Sequence, residues 1–108
     1  EENEGHHSHT HSNSFLSGVL YVTADDGDGI SFERDSGSTF HIDSDTPNDF
    51  NTKVYNIPAE ENTLLLFPSH LRHAVSLRSS KKKRISIAFN TYLRGILGNS
   101  RSLSELFL

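Results

Sequence analysis

The chain is 108 residues long, which suits one domain with one modest core. It has no run of about 18 apolar residues to span a bilayer and no charged stretch leading into an apolar one, so a soluble, cytoplasmic protein with no membrane role is expected. Ten Lys and Arg against fourteen Asp and Glu give a net charge of -4, which argues against nucleic acid as a partner, and zero Cys rules out disulfides, thiolate metal sites and cysteine nucleophiles.

Any metal site must therefore be built from nitrogen and oxygen donors. Residues 1–14 are polar and lack apolar periodicity, and 1–8 are expected to be flexible. Histidine is dense here: His6, His7, His9 and His11 fall within six positions, and His70 and His73 lie three apart late in the chain. In His9-Thr10-His11, positions i and i+2 of an extended segment point to one side, so both imidazoles can converge on one ion. A third ligand from a distant strand would leave coordination positions open for substrate or oxygen, an arrangement suited to non-haem iron(II).

From Phe15 the sequence falls into short β-type runs at 15–22, 30–32, 40–42, 53–57, 63–67, 73–77 and 84–90, with the histidine segment as a possible eighth. Runs spaced by about ten residues, with Gly, Asp, Asn and Pro between them, predict an all-β sandwich or barrel. Asp25-Asp26-Gly27-Asp28-Gly29-Ile30 resembles a calcium loop only superficially: aligning Gly29 with the required glycine puts Ala24 at the first ligand position. A hairpin turn using the positive φ of Asp-Gly is expected instead. Residues 43–51 read as a solvated connection, with a lid as the functional alternative. In the tail, Leu103 to Leu108 is expected to form a short helix with Ser102 as N-cap.

Lys81 to Arg84 reads as a solvated hairpin tip, except for Arg84 itself. Arg84, Ser86, Ala88 and Asn90 share one strand face, while Ile85, Ile87 and Phe89 share the other, which is expected to meet a core layer. An even turn centred on Ser80-Lys81 would set His73 opposite Ala88, Val75 opposite Ser86 and Leu77 opposite Arg84. His73 and Arg84 would then share a face at about 13 Å, a span suited to a small dicarboxylate held by metal at one end and guanidinium at the other.

The segments His9 to Val22, Leu64 to Val75 and Arg84 to Asn90 together resemble a family of small iron(II)/2-oxoglutarate-dependent oxygenases, with an H-x-H…F-P-S-x-L-x-H…R-I-S-I-x-F-N pattern. The resemblance implies an all-β double-stranded β-helix fold, jelly-roll and cupin-like, as a single domain over 1–108. It implies Fe(II) held by His9, His11 and His73, and 2-oxoglutarate as co-substrate with its distal carboxylate on Arg84 and Ser86. The implied activity is a dioxygenase that hydroxylates an unidentified substrate while decarboxylating 2-oxoglutarate to succinate. Position 11 would be Asp or Glu in the wider superfamily, and position 70 would be Trp in relatives; here both are His. The chain starts eight residues before His9, without the N-terminal elements that buttress such sheets, so a truncated product or a homodimer is expected. Two rival readings are a cupin-like metal-binding protein without 2-oxoglutarate chemistry and a non-catalytic β-barrel binding module.

Overall fold

The computed structural model describes residues 5–34, 45–75 and 82–108. Among the described residues nine strands follow one another: β1 His6–His9, β2 Leu16–Thr23, β3 Gly29–Glu33, β4 Val54–Pro58, β5 Thr63–Pro68, β6 His73–Val75, β7 Ile85–Asn90, β8 Ile96–Leu97 and β9 Leu106–Phe107. They form antiparallel sheets in the orders β1-β6-β3-β4, β5-β2-β7 and β8-β9. The chain is all-β in the manner of a jelly roll, with no closed barrel among the described residues. No helix of the described residues is long and apolar enough to cross a membrane.

Six of the expected runs appear within a residue or two of their predicted limits, and the histidine segment supplies β1. Of residues 1–8, expected to be flexible, 6–8 are strand residues of β1. The run expected at 40–42 lies outside the described residues, as do Ser76, Leu77 and Lys81.

The core lies between the two larger sheets and is small. Ile30 and Phe32 project inward from β3 at every second residue and meet Phe67 of β5, with Tyr55, Leu65, Leu71 and Val75 packed around them. Phe32 and Phe67 meet edge to face, with ring centroids 4.9 Å apart.

Several expectations are corrected. The tail is not a helix: Asn99, not Ser102, caps a single 3-10 turn at Ser100–Ser102, and β9 folds back on β8. Here Gly98 has a φ of +74° and lies so close to the Ser104 carbonyl that a Cβ would sit 2.2 Å from its oxygen, so only glycine fits.

Secondly, β6 and β7 are not a hairpin pair. β6 lies between β1 and β3 in one sheet, and β7 pairs with β2 in the other. The Asp25 to Asp28 segment is a turn, closed by Asp28 N–H donating to the Asp25 carbonyl at 2.9 Å with Gly27 at φ +89°, but it too links the two sheets rather than a hairpin.

Thirdly, the apolar face of β7 does not meet a core layer. The rows Leu66-Gly18-Phe89 and Leu64-Leu20-Ile87 form the outer face of the three-stranded sheet, where Leu66 is 53% and Ile87 56% exposed. The polar face of β7 is the inner one. In the basic run Lys82 and Lys83 are exposed as expected, Lys82 donating to the Ala24 carbonyl at 2.8 Å and pairing with Glu61, while Arg84 pairs with Asp28.

Candidate metal centre

Pairing register places the histidines. His9 pairs with His73, His73 with Phe32, and Phe32 with Tyr55, so one cross-strand row runs across the four-stranded sheet on its inner face. His11, two residues beyond His9, is anchored by its N–H donating to the Ser69 carbonyl at 3.0 Å. One potential ligand atom from each of His9, His11 and His73 lies within 4.8 Å of the others.

The surroundings of the rings prepare them for a cation. His9 Nδ1 lies 2.6 Å from the His7 carbonyl and His73 Nδ1 2.9 Å from the Leu71 carbonyl. A carbonyl only accepts, so each Nδ1 carries the proton and each Nε2 keeps its lone pair for a metal. His73 is 4% exposed and its ring lies 4.8 Å from Phe67 and 6.0 Å from Phe32. Burial is the main cause holding its pKa below the usual value, and the neighbouring His9, His11 and His6 push the same way, against the Leu71 hydrogen bond. His11 is also lowered, by burial first and then by His9. Lowered imidazoles are neutral near pH 7, the state that binds metal.

Behind His11 runs a chain of hydroxyls. Ser14 Oγ meets Ser69 Oγ at 2.7 Å, Ser69 Oγ meets Ser17 Oγ at 2.8 Å, and Ser17 Oγ donates to Asn90 Oδ1 at 2.7 Å. The Asn90 amide then reaches His11 Nδ1 at 3.5 Å. Ser17 and Ser69 are almost wholly buried, and the chain satisfies both hydroxyls.

Facing the histidines, the inner rows of the other sheet are Phe67-Ser17-Asn90, Leu65-Val19-Ala88 and Thr63-Tyr21-Ser86. Between the sheets lies a cavity of about 210 Å³, lined among others by His9, His11, His73, Tyr21, Arg84 and Ser86. Arg84 donates from Nη1 to Asp28 Oδ1 at 3.3 Å, and Tyr21 is buried beside this pair. Burial raises the Tyr21 phenol pKa; the Arg84 charge opposes the rise and the Asp28 charge adds to it.

All five residues singled out in the sequence, His9, His11, His73, Arg84 and Ser86, line this one cavity. His70 does not. It lies on a second cavity of about 830 Å³ with Arg34, Tyr55 and Arg72. Sequence reasoning missed Asp28, Tyr21, Ser17, Ser69 and Asn90. Asp28 was hidden in a turn motif, whereas Asn90 was already legible on the polar face of β7.

The donor set fits a divalent first-row metal: three imidazoles, two with their second nitrogens engaged, at the edge of a cavity with room for further ligands. A family model described as "Putative 2OG-Fe(II) oxygenase" matches residues 1–90. The chain belongs to this family. Within the oxygenase family, iron(II) and 2-oxoglutarate are the expected cofactor and co-substrate, and the three histidines are positioned to bind metal. Comparison with curated proteins finds no match.

Proposed function

We propose that the protein is an iron(II)- and 2-oxoglutarate-dependent dioxygenase. The observation that supports this best is that three converging imidazoles and a partly buried guanidinium line the same cavity from opposite sides. In this reading His9, His11 and His73 hold iron(II), while Arg84 and Ser86 hold the distal carboxylate of 2-oxoglutarate. When bound, iron(II) with 2-oxoglutarate supplies O₂ activation coupled to decarboxylation of the 2-oxo acid to succinate and hydroxylation of a second substrate.

The chain's own residues contribute position and environment. The His7 and Leu71 carbonyls fix two imidazoles in the tautomer that presents Nε2. Phe32 and Phe67 shield His73 from water, and the guanidinium fork matches a carboxylate in shape and charge. Three imidazoles bring no negative charge, so charge on the metal is balanced by what enters the cavity, which favours an anionic chelator.

The test is anaerobic titration of iron(II) and then 2-oxoglutarate into the purified chain, following the visible absorption that appears when a 2-oxo acid chelates iron(II). Appearance of the band in the wild type and its loss in His73→Ala is the expected result. Iron binding without the band favours the cupin-like alternative, and absence of metal binding favours a non-catalytic module.

A further inference from the structure

Asp28 is the one carboxylate among the described residues whose side chain meets the cavity's guanidinium, and the mechanism above does not use it. Its side chain is 3% exposed and that of Arg84 is 16% exposed. Both carboxylate oxygens are committed: Oδ1 accepts from Arg84 Nη1 at 3.3 Å, and Oδ2 accepts the Asp25 N–H at 3.0 Å. The backbone is equally constrained, with Asp28 N–H donating to the Asp25 carbonyl and the Asp28 carbonyl accepting from Ala59 N–H, both at 2.9 Å. Asp28 is thus a fixed point, tied to the β2–β3 turn and to the strand end at β4.

Arg84 differs. It precedes β7, an edge strand, and its long side chain could take many rotamers if nothing held its head. The contact with Asp28 uses Nη1, one of five donors on a planar fork, and no other hydrogen bond fixes the head group among the described residues. An ion pair this buried cannot contribute much net stability, because desolvation cancels most of its attraction. What it does supply is direction.

We propose that Asp28 is the positioning residue for Arg84: it pins one edge of the guanidinium and turns the other toward the distal carboxylate of the co-substrate. This rests on the oxygenase reading. The consequence is selective: Asp28 matters to ligands that carry a distal carboxylate and is indifferent to those that do not. A general structural role would not distinguish them.

The experiment compares 2-oxoglutarate with 2-oxopentanoate, which has the same chain length and the same 2-oxo acid but no distal carboxylate, by equilibrium binding to the iron(II)-loaded chain without O₂. In Asp28→Ala, 2-oxoglutarate affinity is expected to fall at least about tenfold, the low end of what losing an outer positioning contact costs, while 2-oxopentanoate affinity and iron(II) affinity stay within about twofold of wild type. Because Ala leaves a partly buried cation unpaired and so weakens folding, Asp28→Asn is measured in parallel. Its amide oxygen still accepts from Arg84, so it is expected to show a smaller loss, again confined to 2-oxoglutarate. Unchanged or tighter 2-oxoglutarate binding overturns the positioning role, as does an equal loss for both ligands. A wild-type chain that does not prefer 2-oxoglutarate to 2-oxopentanoate overturns the oxygenase reading itself.

Discussion

His73 stands on one sheet and Arg84 at the entry to the other, yet both line the same cavity. β6 carries His73 between β1 and β3, while Arg84 leads into β7 at the edge of the opposing sheet. A ligand touching both must bridge the gap between sheets, so its two ends are read by separate elements. Loss at one end can therefore be tested without disturbing the other.

Arg84→Ala is expected to weaken 2-oxoglutarate binding by about 2 kcal/mol or more, the scale of a charged hydrogen bond, while iron(II) affinity changes little. Isothermal titration with each ligand in turn measures this. Co-substrate affinity equal to wild type would remove Arg84 from the site.

The lowered His11 and His73 pKa values set the direction of a pH effect. In the folded chain both resist protonation, whereas in the unfolded chain they titrate near 6.5. Protons are then taken up by the unfolded chain first, so this contribution to stability is complete above pH 6.5 and is lost as pH falls from there toward the folded values. Metal-free unfolding midpoints are expected to drop between pH 7 and 5, before the carboxylates titrate, and iron(II) affinity to fall over the same interval. A midpoint that is flat across that window contradicts the assignment of two shielded imidazoles.

The period-two pattern carried the strands and the facing of His9, His11, Arg84 and Ser86, because alternation depends only on local geometry. It could not say which strands pair. The hairpin drawn between 73–77 and 84–90 brought His73 and Arg84 together by a route the fold does not use, since β7 joins β2 instead. Nor could the pattern show which face of β7 is inner: Ile85, Ile87 and Phe89 look like a core face, and the polar face lines the cavity. Asp28 was invisible for a related reason. An Asp beside two glycines reads as a turn, and only the tertiary structure shows its carboxylate meeting Arg84.

Asn90 is the last link between the buried serines and His11. The amide nitrogen only donates, so this contact occupies the lone pair of His11 Nδ1 and leaves the ring proton on Nε2; Asn90→Ala releases that nitrogen and is expected to raise iron(II) affinity. Ser17→Ala should act in the same direction but less, being one bond further away. Competition with a metal-sensitive dye provides the measurement, and an unchanged or lower affinity in Asn90→Ala would mean that the amide does not compete with the metal for His11.

The outer face of the three-stranded sheet combines Leu64, Leu66, Ile87 and Phe89, all at least 39% exposed. On a twisted sheet such neighbours form one apolar patch of the kind that binds hydrophobic dyes and drives aggregation. Gly18 lies in its middle, where a Cβ would come within 2.4 Å of the Phe89 ring, so any larger residue there would displace Phe89. Leu66→Lys with Ile87→Lys keeps the strand pairing, because both side chains point away from the cavity. The double variant is expected to bind less dye and stay soluble at higher concentration while retaining wild-type iron(II) affinity. Loss of metal binding would show instead that the outer face supports the inner one, and that the sheet's two faces are mechanically coupled.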